Sequence, residues 1–298
     1  MVDQAEANDQ RPARFVTRFA PSPTGLLHLG NAFSALTAFD AARAAEGRFL
    51  LRIEDLDTSR CRPEYEAAIL EDLAWLGLAW DEAPLRQSQR AHIYGAVLES
   101  LRDRGLLYRC FKTRKEIAAA ITSAPHQAGT PFCGAALPPS QEARLLADGA
   151  PFAWRLSLAR CREELKHAYE ELRFFEAGQG PQGQAGWIAA QPERMGDEIL
   201  ARKDIGFSYH LASCCDDAES AITHVIRGND LHEAAHFHCL LQALMGWPQP
   251  IYVSHALVLN AQGQRLSKRD HAANLRHLRE AGASPGDIRA RLNLPMRV

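Results

Sequence analysis

The chain has 298 residues, a formal net charge of −2 at pH 7 and seven cysteines. This length can bury a large core, and we expect one domain with a sizeable insertion, or two domains. The charge excludes a uniformly basic surface, so a nucleic-acid partner has to be met by a local basic patch.

The N-terminal residues 1–13 are polar, and we expect a disordered tail there. They lack the apolar core of a signal peptide, and no stretch of the chain is apolar for long enough to cross a bilayer. The odd number of scattered cysteines indicates a reducing compartment rather than a disulfide framework. We therefore expect a cytoplasmic globular protein.

The first part of the globular chain predicts alternating strands and helices. In chain order these are a strand over residues 14–20, a helix over 31–45, a strand over 49–53 and helices over about 63–76 and 87–104. Pro21 and Pro23 end the first strand, and Gly47 ends the first helix. A strand, a helix and a strand in this order favour a parallel sheet and an α/β fold.

From about residue 108 to 194 the pattern loses its regularity, and residues 177–186 are typical of a loop. Farther along, the sequence predicts strands over 207–213 and 221–227, a helix over about 231–245 and a strand over 251–253. We infer one domain split by an insertion. The predicted units are the tail 1–13, a nucleotide-binding catalytic domain of 14–107 and 195–270, an inserted connective α+β domain of 108–194, and a short helical C-terminal segment of 271–298.

The segment Pro21–Asn31 suits phosphate binding. A strand, a proline-stiffened turn and a glycine at the start of a helix direct backbone N–H groups and the positive helix end toward an anion. His28 can donate to phosphate oxygens, and Gly30 leaves room for a purine ring. Alone, this segment is weak evidence, because many such turns only cap helices.

A second segment, Arg265–Arg269, carries three cations in five residues after a glycine-containing turn. Such a loop suits a polyphosphate, with Lys268 as a compact point charge. Taken alone, it is more commonly a solvated basic loop.

The two segments together, with residues 52–57 between them, resemble the class I aminoacyl-tRNA synthetases and specifically the glutamyl branch. Residues 18–25 followed by His28-Leu29-Gly30 resemble the first ATP signature of that family, and Arg265–Arg269 resembles the second, its lysine–serine loop. Asp216-Asp217 and residues 222–230 match the same branch. The resemblance implies a Rossmann-like parallel sheet and ATP-dependent activation of an amino acid.

The resemblance also implies residue roles. Arg227 would pair with the side-chain carboxylate of L-glutamate, which favours glutamate over glutamine, while Glu54 would face the α-ammonium group and Tyr209 would close the pocket. The set implied for glutamate is Arg18, Phe19, Ala20, Pro21, Ser22, Glu54, Tyr209 and Arg227. The set implied for ATP is His28, Gly30, Asn31, Arg265, Leu266, Ser267, Lys268 and Arg269.

The expected reaction is attack of the glutamate α-carboxylate on the α-phosphorus of ATP, with Mg²⁺ on the phosphates. His28 and Lys268 are the expected catalytic residues, because they can absorb charge on the leaving phosphates. One departure from the family pattern is Asn31, where many class I enzymes carry a second histidine.

The acceptor is inferred from the short remainder after the lysine–serine loop. Full-length relatives carry a helical anticodon-binding region there, and we expect none in residues 271–298. Short, stand-alone versions of the glutamyl core activate glutamate without tRNA and transfer it to queuosine at the wobble position of tRNA(Asp), and the resemblance implies that activity here. The alternatives are a truncated enzyme that charges the 3′ end of tRNA(Glu) and a non-catalytic tRNA-binding module. We expect a monomer.

A basic cluster at the start of the predicted insertion is a candidate contact for tRNA phosphates. A solvated helix face explains it equally well. The cluster consists of Arg102, Arg104, Arg109, Lys112, Arg114 and Lys115.

Two patterns suggest metal sites. The segment His232–His236 has the spacing of a zinc protease, but it falls inside the synthetase match, and we interpret it as the first turns of a helix. Zinc-binding relatives carry Cys-x-Cys and a further cysteine in the insertion, whereas this chain has Cys110, Lys112 and Cys133. Even with His126 as a third ligand, a closed site needs a fourth, so we expect a lost or degenerate zinc site.

The adjacent pair Cys214 and Cys215 lies in a strand pattern. Neighbouring side chains of a strand point to opposite faces, and we interpret both as small buried apolar residues.

Overall fold

A computed structural model describes residues 14–113, 115–117, 131–202, 206–259 and 274–296. Within these ranges, the strands are β1 Val16–Phe19, β2 Arg48–Ile53, β3 Leu85–Arg86, β4 Leu107–Cys110, β5 Ala153–Leu156, β6 Arg173–Glu176, β7 Gly186–Ala189, β8 Ile199–Arg202, β9 Gly206–Phe207, β10 His224–Gly228 and β11 Ile251–His255. The helices are α1 Leu29–Ala44, α2 Pro63–Trp75, α3 Ala91–Asp103, α4 Pro139–Ala147, α5 Leu158–Leu165, α6 His167–Glu170, α7 Tyr209–Glu219, α8 Ala234–Met245, α9 Leu275–Glu280 and α10 Pro285–Arg291.

The first sheet has the strand order β1-β2-β3 and is parallel throughout. Helix α1 makes the crossover between β1 and β2, which confirms the parallel sheet predicted from the sequence. Its apolar side packs against both strands, because Ala35, Leu36 and Phe39 are buried beside Phe49.

The second sheet has the strand order β10-β11-β6-β7, in which β10, β11 and β6 run parallel and β7 returns antiparallel at the edge. It lies next to the first sheet. The N–H of Thr223 donates to the Val16 carbonyl at 2.9 Å, and the Val16 N–H donates to the Thr223 hydroxyl at 2.8 Å. The two sheets therefore present the carboxyl ends of β1, β2, β10 and β11 on one side.

The third sheet is antiparallel, with the order β4-β5-β8-β9. Strand pairing does not follow the predicted boundary at residue 194. Strands β6 and β7 lie within the predicted insertion but join the second parallel sheet, and β8 and β9 lie beyond the boundary but join the antiparallel sheet. The partner of a short strand is decided by tertiary contacts, which local composition does not report.

The strand predicted over residues 207–213 is wrong, because only Phe207 of this range lies in a strand and helix α7 begins at Tyr209. The hydroxyl of Ser208 caps this helix by accepting from the Leu211 N–H at 3.3 Å. Cys214 and Cys215 therefore lie on a helix rather than a strand. Their predicted burial is confirmed, since α7 is enclosed from Leu211 to Asp217.

The C-terminal helices pack on the first sheet and its crossover. The Leu275 N–H donates to the Leu27 carbonyl at 2.8 Å, and Arg289 forms a bidentate ion pair with Asp40 of α1. Among the described residues, no helix combines the length and the apolar character needed to span a membrane.

Candidate active site

A cavity of about 560 Å³ opens at the carboxyl ends of the parallel strands. This is where ligands bind in open α/β sheets. Every residue predicted for glutamate lines it, together with His28, Gly30 and Asn31 from the predicted ATP set. The predicted Arg265–Arg269 loop lies outside the described residues. The structure thus brings the residues predicted for glutamate and three of those predicted for ATP into one cavity. The binding role of each residue stays a prediction.

The start of α1 fixes the orientation of His28. Its Nδ1 accepts from the Asn31 N–H at 3.2 Å, and the Asn31 side chain accepts from the His28 N–H at 3.1 Å, which forms a capping box. Because Nδ1 accepts, a neutral imidazole carries its proton on Nε2. A Cβ at residue 30 would stand 3.0 Å from this ring. Gly30 therefore leaves space for the His28 imidazole.

Arg18 is buried and held by Asp217. Its Nε and Nη2 donate to the two oxygens of that carboxylate at 3.0 and 3.2 Å, and Arg52 donates to the same group through Nη1. Burial alone would raise the pKa of Asp217, but the two guanidinium groups outweigh it and hold that pKa below its usual value. The positive charge of Arg18 is thus largely balanced within the protein.

Glu54 stands at the end of β2 beside the same arginines. Its Oε1 accepts from Nη2 of Arg52 at 3.1 Å. Burial raises the pKa of Glu54, and the attraction of Arg52 and Arg18 offsets this only in part. A cation arriving in the cavity would favour the ionised carboxylate.

Arg227, at the end of β10, is buried and has no ion-pair partner in the part of the chain that the structure describes. Its side chain lies over the ring of Tyr252, at 4.6 Å from the ring centre. Its Nε, Nη1 and Nη2 are all buried, and none has a hydrogen-bond partner among the described residues. An unpaired buried charge is costly, by several kcal/mol. An anion in the cavity would provide the partner that this guanidinium lacks among the described residues.

Two imidazoles near Arg227 are uncharged. His210 and His238 contact each other through Nδ1 and Nε2 at 3.1 Å. Burial, reinforced by the Arg227 charge, lowers the pKa of His210 to about 4. Burial likewise holds the pKa of His238 well below its usual value, so both imidazoles are uncharged at pH 7. Neither imidazole supplies a negative charge that would balance the Arg227 guanidinium.

The sequence interpretation missed three contributors to the site. Asp217 had been noted only as part of a family match, and its role as the partner of Arg18 becomes visible only in the fold. Ser34 and His255 also line the cavity, joined by a hydrogen bond of 2.9 Å between the hydroxyl and Nε2. Ser34 lies on α1 and His255 at the end of β11. Only the fold brings these two residues together, so no local sequence pattern marks them.

Asp216 does not line the cavity but secures its wall. It is fully buried and accepts from Gln87, from Arg90 at 2.8 Å and from the Tyr94 hydroxyl. These bonds tie α7 to α3 directly beside Asp217. In the sequence, the signal that could have marked Asp216 is the acidic pair that it forms with Asp217 within an apolar stretch.

The residues of the zinc-protease pattern make structural contacts within the protein. His232 lies against Glu176 and Ser254, at 3.4 and 3.3 Å, while Nδ1 of His236 accepts from the Gln191 N–H. Glu233 points outward and pairs with Arg194 at 3.0 Å. The glutamate that would serve as the base is therefore directed away from the two imidazoles.

Cys110 and Cys133 lie in segments that Asp197 joins. This carboxylate accepts from the Tyr108 hydroxyl and from the Gly134 N–H, both at 2.8 Å. Burial and the Asp197 charge raise the pKa of Cys133, which disfavours the thiolate that a metal requires. Among the described residues, no group of three or more His, Cys, Asp or Glu side chains is placed to hold a metal ion. Zinc occupancy stays untested, and His126 lies outside the described ranges.

Three arginines of the predicted basic cluster form ion pairs within the protein. Arg102 contacts Asp103, Arg104 contacts Glu164, and Arg109 contacts Glu142. Arg114 is outside the described residues. For the three paired arginines, this arrangement favours the solvated-surface interpretation over phosphate contacts.

Comparisons with known proteins agree with the sequence resemblance. A family model described as "tRNA synthetases class I (E and Q), catalytic domain" matches residues 14–130 and 182–294. A Rhodobacter capsulatus protein named glutamyl-Q tRNA(Asp) synthetase is 46% identical over 94% of this chain and 100% of its own length. A Symbiobacterium thermophilum protein of the same name is 38% identical, over 91% of this chain and 83% of its length.

The comparison with solved structures also finds similarity to glutamate–tRNA ligases. A glutamate–tRNA ligase from Elizabethkingia meningosepticum, in complex with its amino acid, is 31% identical with a TM-score of 0.70. The match covers 87% of this chain and 53% of that one. The similarity therefore covers both the fold and the cavity-forming segments.

Proposed function

The chain belongs to the class I tRNA synthetases of the glutamate and glutamine group, and on that premise we propose that it activates L-glutamate with ATP and transfers it to the queuosine base of tRNA(Asp). It is a ligase that forms a carbon–oxygen bond. An oxygen of the glutamate α-carboxylate attacks the α-phosphorus of ATP, and pyrophosphate leaves. A queuosine hydroxyl then attacks the glutamyl carbonyl, and AMP leaves.

The observation that carries the choice of glutamate is that buried Arg227 has no hydrogen-bond partner among the described residues. Arg18 and Arg52 both lie against carboxylates of the protein, since Asp217 pairs with both, Glu54 pairs with Arg52 at 3.1 Å and Asp216 lies 3.9 Å from the Arg52 Nε. Arg227 has no such partner among the described residues, so its charge is the one left to be balanced. Glutamate, with two carboxylates and one ammonium group, brings one net negative charge. Glutamine is neutral overall and would leave the buried charge unbalanced. The cluster thus favours glutamate.

Each remaining group of the substrate has a matching residue. Arg227 pairs with the side-chain carboxylate, for which a guanidinium offers two parallel donors. Nη1 of Arg18 is the nitrogen that Asp217 does not engage, and it serves the α-carboxylate. Glu54 receives the ammonium group, whose charge offsets the burial that raises the Glu54 pKa.

The ATP phosphates lie at the start of α1. The Nε2–H of His28 donates to them, and we assign Lys268 to the same phosphates on the family match alone. Mg²⁺ enters with ATP, because it prefers phosphate oxygens and water to all-protein cages. The protein contributes alignment of two anions and donors for the charge that develops on pyrophosphate.

The choice of queuosine in tRNA(Asp) as acceptor is supported by the relatives. Proteins carrying the name glutamyl-Q tRNA(Asp) synthetase match this chain over most of their own length, at identities of 38–46% in three of them. A Methylobacterium glutamate–tRNA ligase 2 is matched over 58% of its length.

Glutamate-dependent exchange of pyrophosphate into ATP, measured without tRNA, tests the activation step. We expect exchange with glutamate and far less with glutamine. Exchange that strictly requires tRNA, or equal exchange with both amino acids, would contradict the proposal.

A further inference from the structure

The hairpin of β6 and β7 carries an exposed aromatic cluster made of Arg173, Phe175 and Trp187. The side chain of Trp187 is 59% exposed. The Arg173 guanidinium lies 4.6 Å from the centre of the Trp187 ring, and the Phe175 ring meets it edge-on at 5.4 Å. The indole is thus held in place by its neighbours while much of it remains accessible.

This cluster shares a sheet face with the cavity. Trp187 pairs with Phe175, and Glu176 pairs with Tyr252, so Phe175 is level with Ile251. Because side chains alternate along a strand, Trp187, Phe175, Ile251 and His255 all lie on the same face. His255 lines the cavity, and Trp187 continues that face toward the sheet edge.

The distance between Trp187 and His255 of the cavity is short. Trp187 lies two strands from β11 and about four residues before the level of His255. At about 4.8 Å between strands and about 3.3 Å per residue, the two Cα atoms are roughly 16 Å apart. A few nucleotides of an extended single strand cover this span.

The loop that joins β6 to β7 is fixed against the cavity strand. A Cβ at Gly178 would meet the Ser254 carbonyl oxygen at 2.3 Å, so only glycine permits this approach. The Gly178 N–H donates to Glu176, which also accepts from the Ser254 N–H. The hairpin therefore holds Trp187 at a set position relative to β11.

The charge of the cluster points to an anionic partner. Arg173 forms no ion pair with any described residue, in contrast to Arg102, Arg104 and Arg109. The connecting residues 177–186 carry no charge of either sign. An accessible indole beside an unbalanced guanidinium suits a nucleobase and its phosphate.

We propose that Trp187 stacks on a splayed base of the tRNA anticodon loop while another base of the same loop, a few nucleotides away, occupies the cavity, and that Arg173 supports the indole and contacts a phosphate beside the stacked base. The inference rests on the proposed function for the identity of the RNA. It assigns the RNA-contacting role to the β6–β7 hairpin rather than to the paired arginines of the predicted basic cluster.

The test is the affinity for purified queuosine-containing tRNA(Asp), measured by fluorescence anisotropy of end-labelled tRNA at fixed salt. Trp187→Ala should raise the Kd about 5- to 100-fold, the range expected for one lost base stack. Trp187→Phe should restore most of the affinity. Arg173→Ala should lower the slope of log Kd against log salt by about 0.7, as expected for one phosphate contact on a single strand.

Leu146→Ala is the matched control, because Leu146 is an exposed apolar residue on α4 outside this cluster. It should leave the Kd unchanged. Pyrophosphate exchange with glutamate, measured without tRNA, should be the same in all four variants and the wild type.

A Kd for Trp187→Ala within twofold of the wild type would overturn the assignment. So would a wild-type dimer that Trp187→Ala converts to a monomer at the assay concentration, since the edge strand would then bind a second copy. Loss of exchange in the wild type would instead overturn glutamate activation and would leave the comparison of tRNA affinities interpretable.

Discussion

Arg18 and Arg227 are both buried arginines of the cavity, but their charges are balanced differently. Asp217 holds two nitrogens of Arg18 within the protein. Arg227 has no partner among the described residues and rests on the face of Tyr252. Arg18 is therefore positioned before any substrate binds, whereas the charge of Arg227 is available to select it.

Replacing Arg227 with glutamine tests this selection. We expect Arg227→Gln to lower kcat/KM for glutamate in pyrophosphate exchange at least about 100-fold, because breaking a buried charge pair costs about 3–5 kcal/mol. The value for glutamine should fall much less. Arg173→Gln, on an exposed arginine outside the cavity, is the control and should change neither value. A drop for glutamate of less than threefold would contradict the assignment.

Replacing Asp217 with asparagine tests whether this carboxylate positions Arg18. Asp217→Asn keeps the shape but removes the charge, and we expect the KM for glutamate to rise at least tenfold while the KM for ATP stays within about twofold. A merely structural role would instead reduce the amount of active enzyme and leave both KM values unchanged. Asp217→Glu should recover part of the glutamate affinity.

The lowered pKa of Asp217 also predicts a pH dependence. Because the folded pKa lies below the unfolded one, the ionised Asp217 contributes stability above the unfolded pKa of about 4. This contribution is lost as the pH falls through the folded pKa. The difference in free energy of unfolding between the wild type and Asp217→Asn should therefore shrink below pH 4. A difference that stays constant from pH 7 to pH 3 would contradict it.

At the scale of the secondary-structure elements, Asp72 places an unfavourable charge in the contact between α2 and α9. Asp72 of α2 is buried, neither carboxylate oxygen has a hydrogen-bond partner among the described residues, and Arg279 stands 3.8 Å away. Burial, only partly offset by Arg279, raises the pKa of Asp72 to about 6. A raised carboxyl pKa means that ionisation opposes folding.

Asp72→Asn should therefore stabilise the protein at pH 8, by about 2 kcal/mol in the free energy of unfolding, and have little effect at pH 4. In the wild type, the Asp72 contribution to stability falls as the pH rises from about 4 to about 6. Glu64→Gln, at an exposed position of the same helix, is the control and should show no such difference. Urea unfolding at the two pH values measures it, and equal effects at both would contradict the prediction.

The elements also show what the sequence could predict. The β1–α1–β2 unit follows from Pro21, Gly47 and the apolar pattern, because each of its signals is local. Helix α7 was predicted as a strand, because alternation over seven residues does not distinguish the two when every side of the element is buried. The pairing of β6 with β11 depends on contacts far apart in the sequence, as does that of Arg18 with Asp217, and no local pattern contains either.

At the scale of the whole molecule, two parallel sheets side by side bring the ends of β1, β2, β10 and β11 to one cavity. The residues that the synthetase resemblance implies for glutamate meet there, although β2 and β10 are about 170 positions apart. The hairpin β6–β7 extends the same sheet beyond the cavity. The fold thus joins the proposed glutamate site to the proposed RNA-binding surface.

The central claim is that glutamate is transferred to queuosine, and transfer of labelled glutamate to tRNA from cells with and without queuosine tests it most directly. Label should appear on tRNA(Asp) only when queuosine is present, and it should remain on the anticodon fragment after the tRNA is cleaved. Label that persists on queuosine-free tRNA, or that resides at the 3′ end of tRNA(Glu), would contradict the claim.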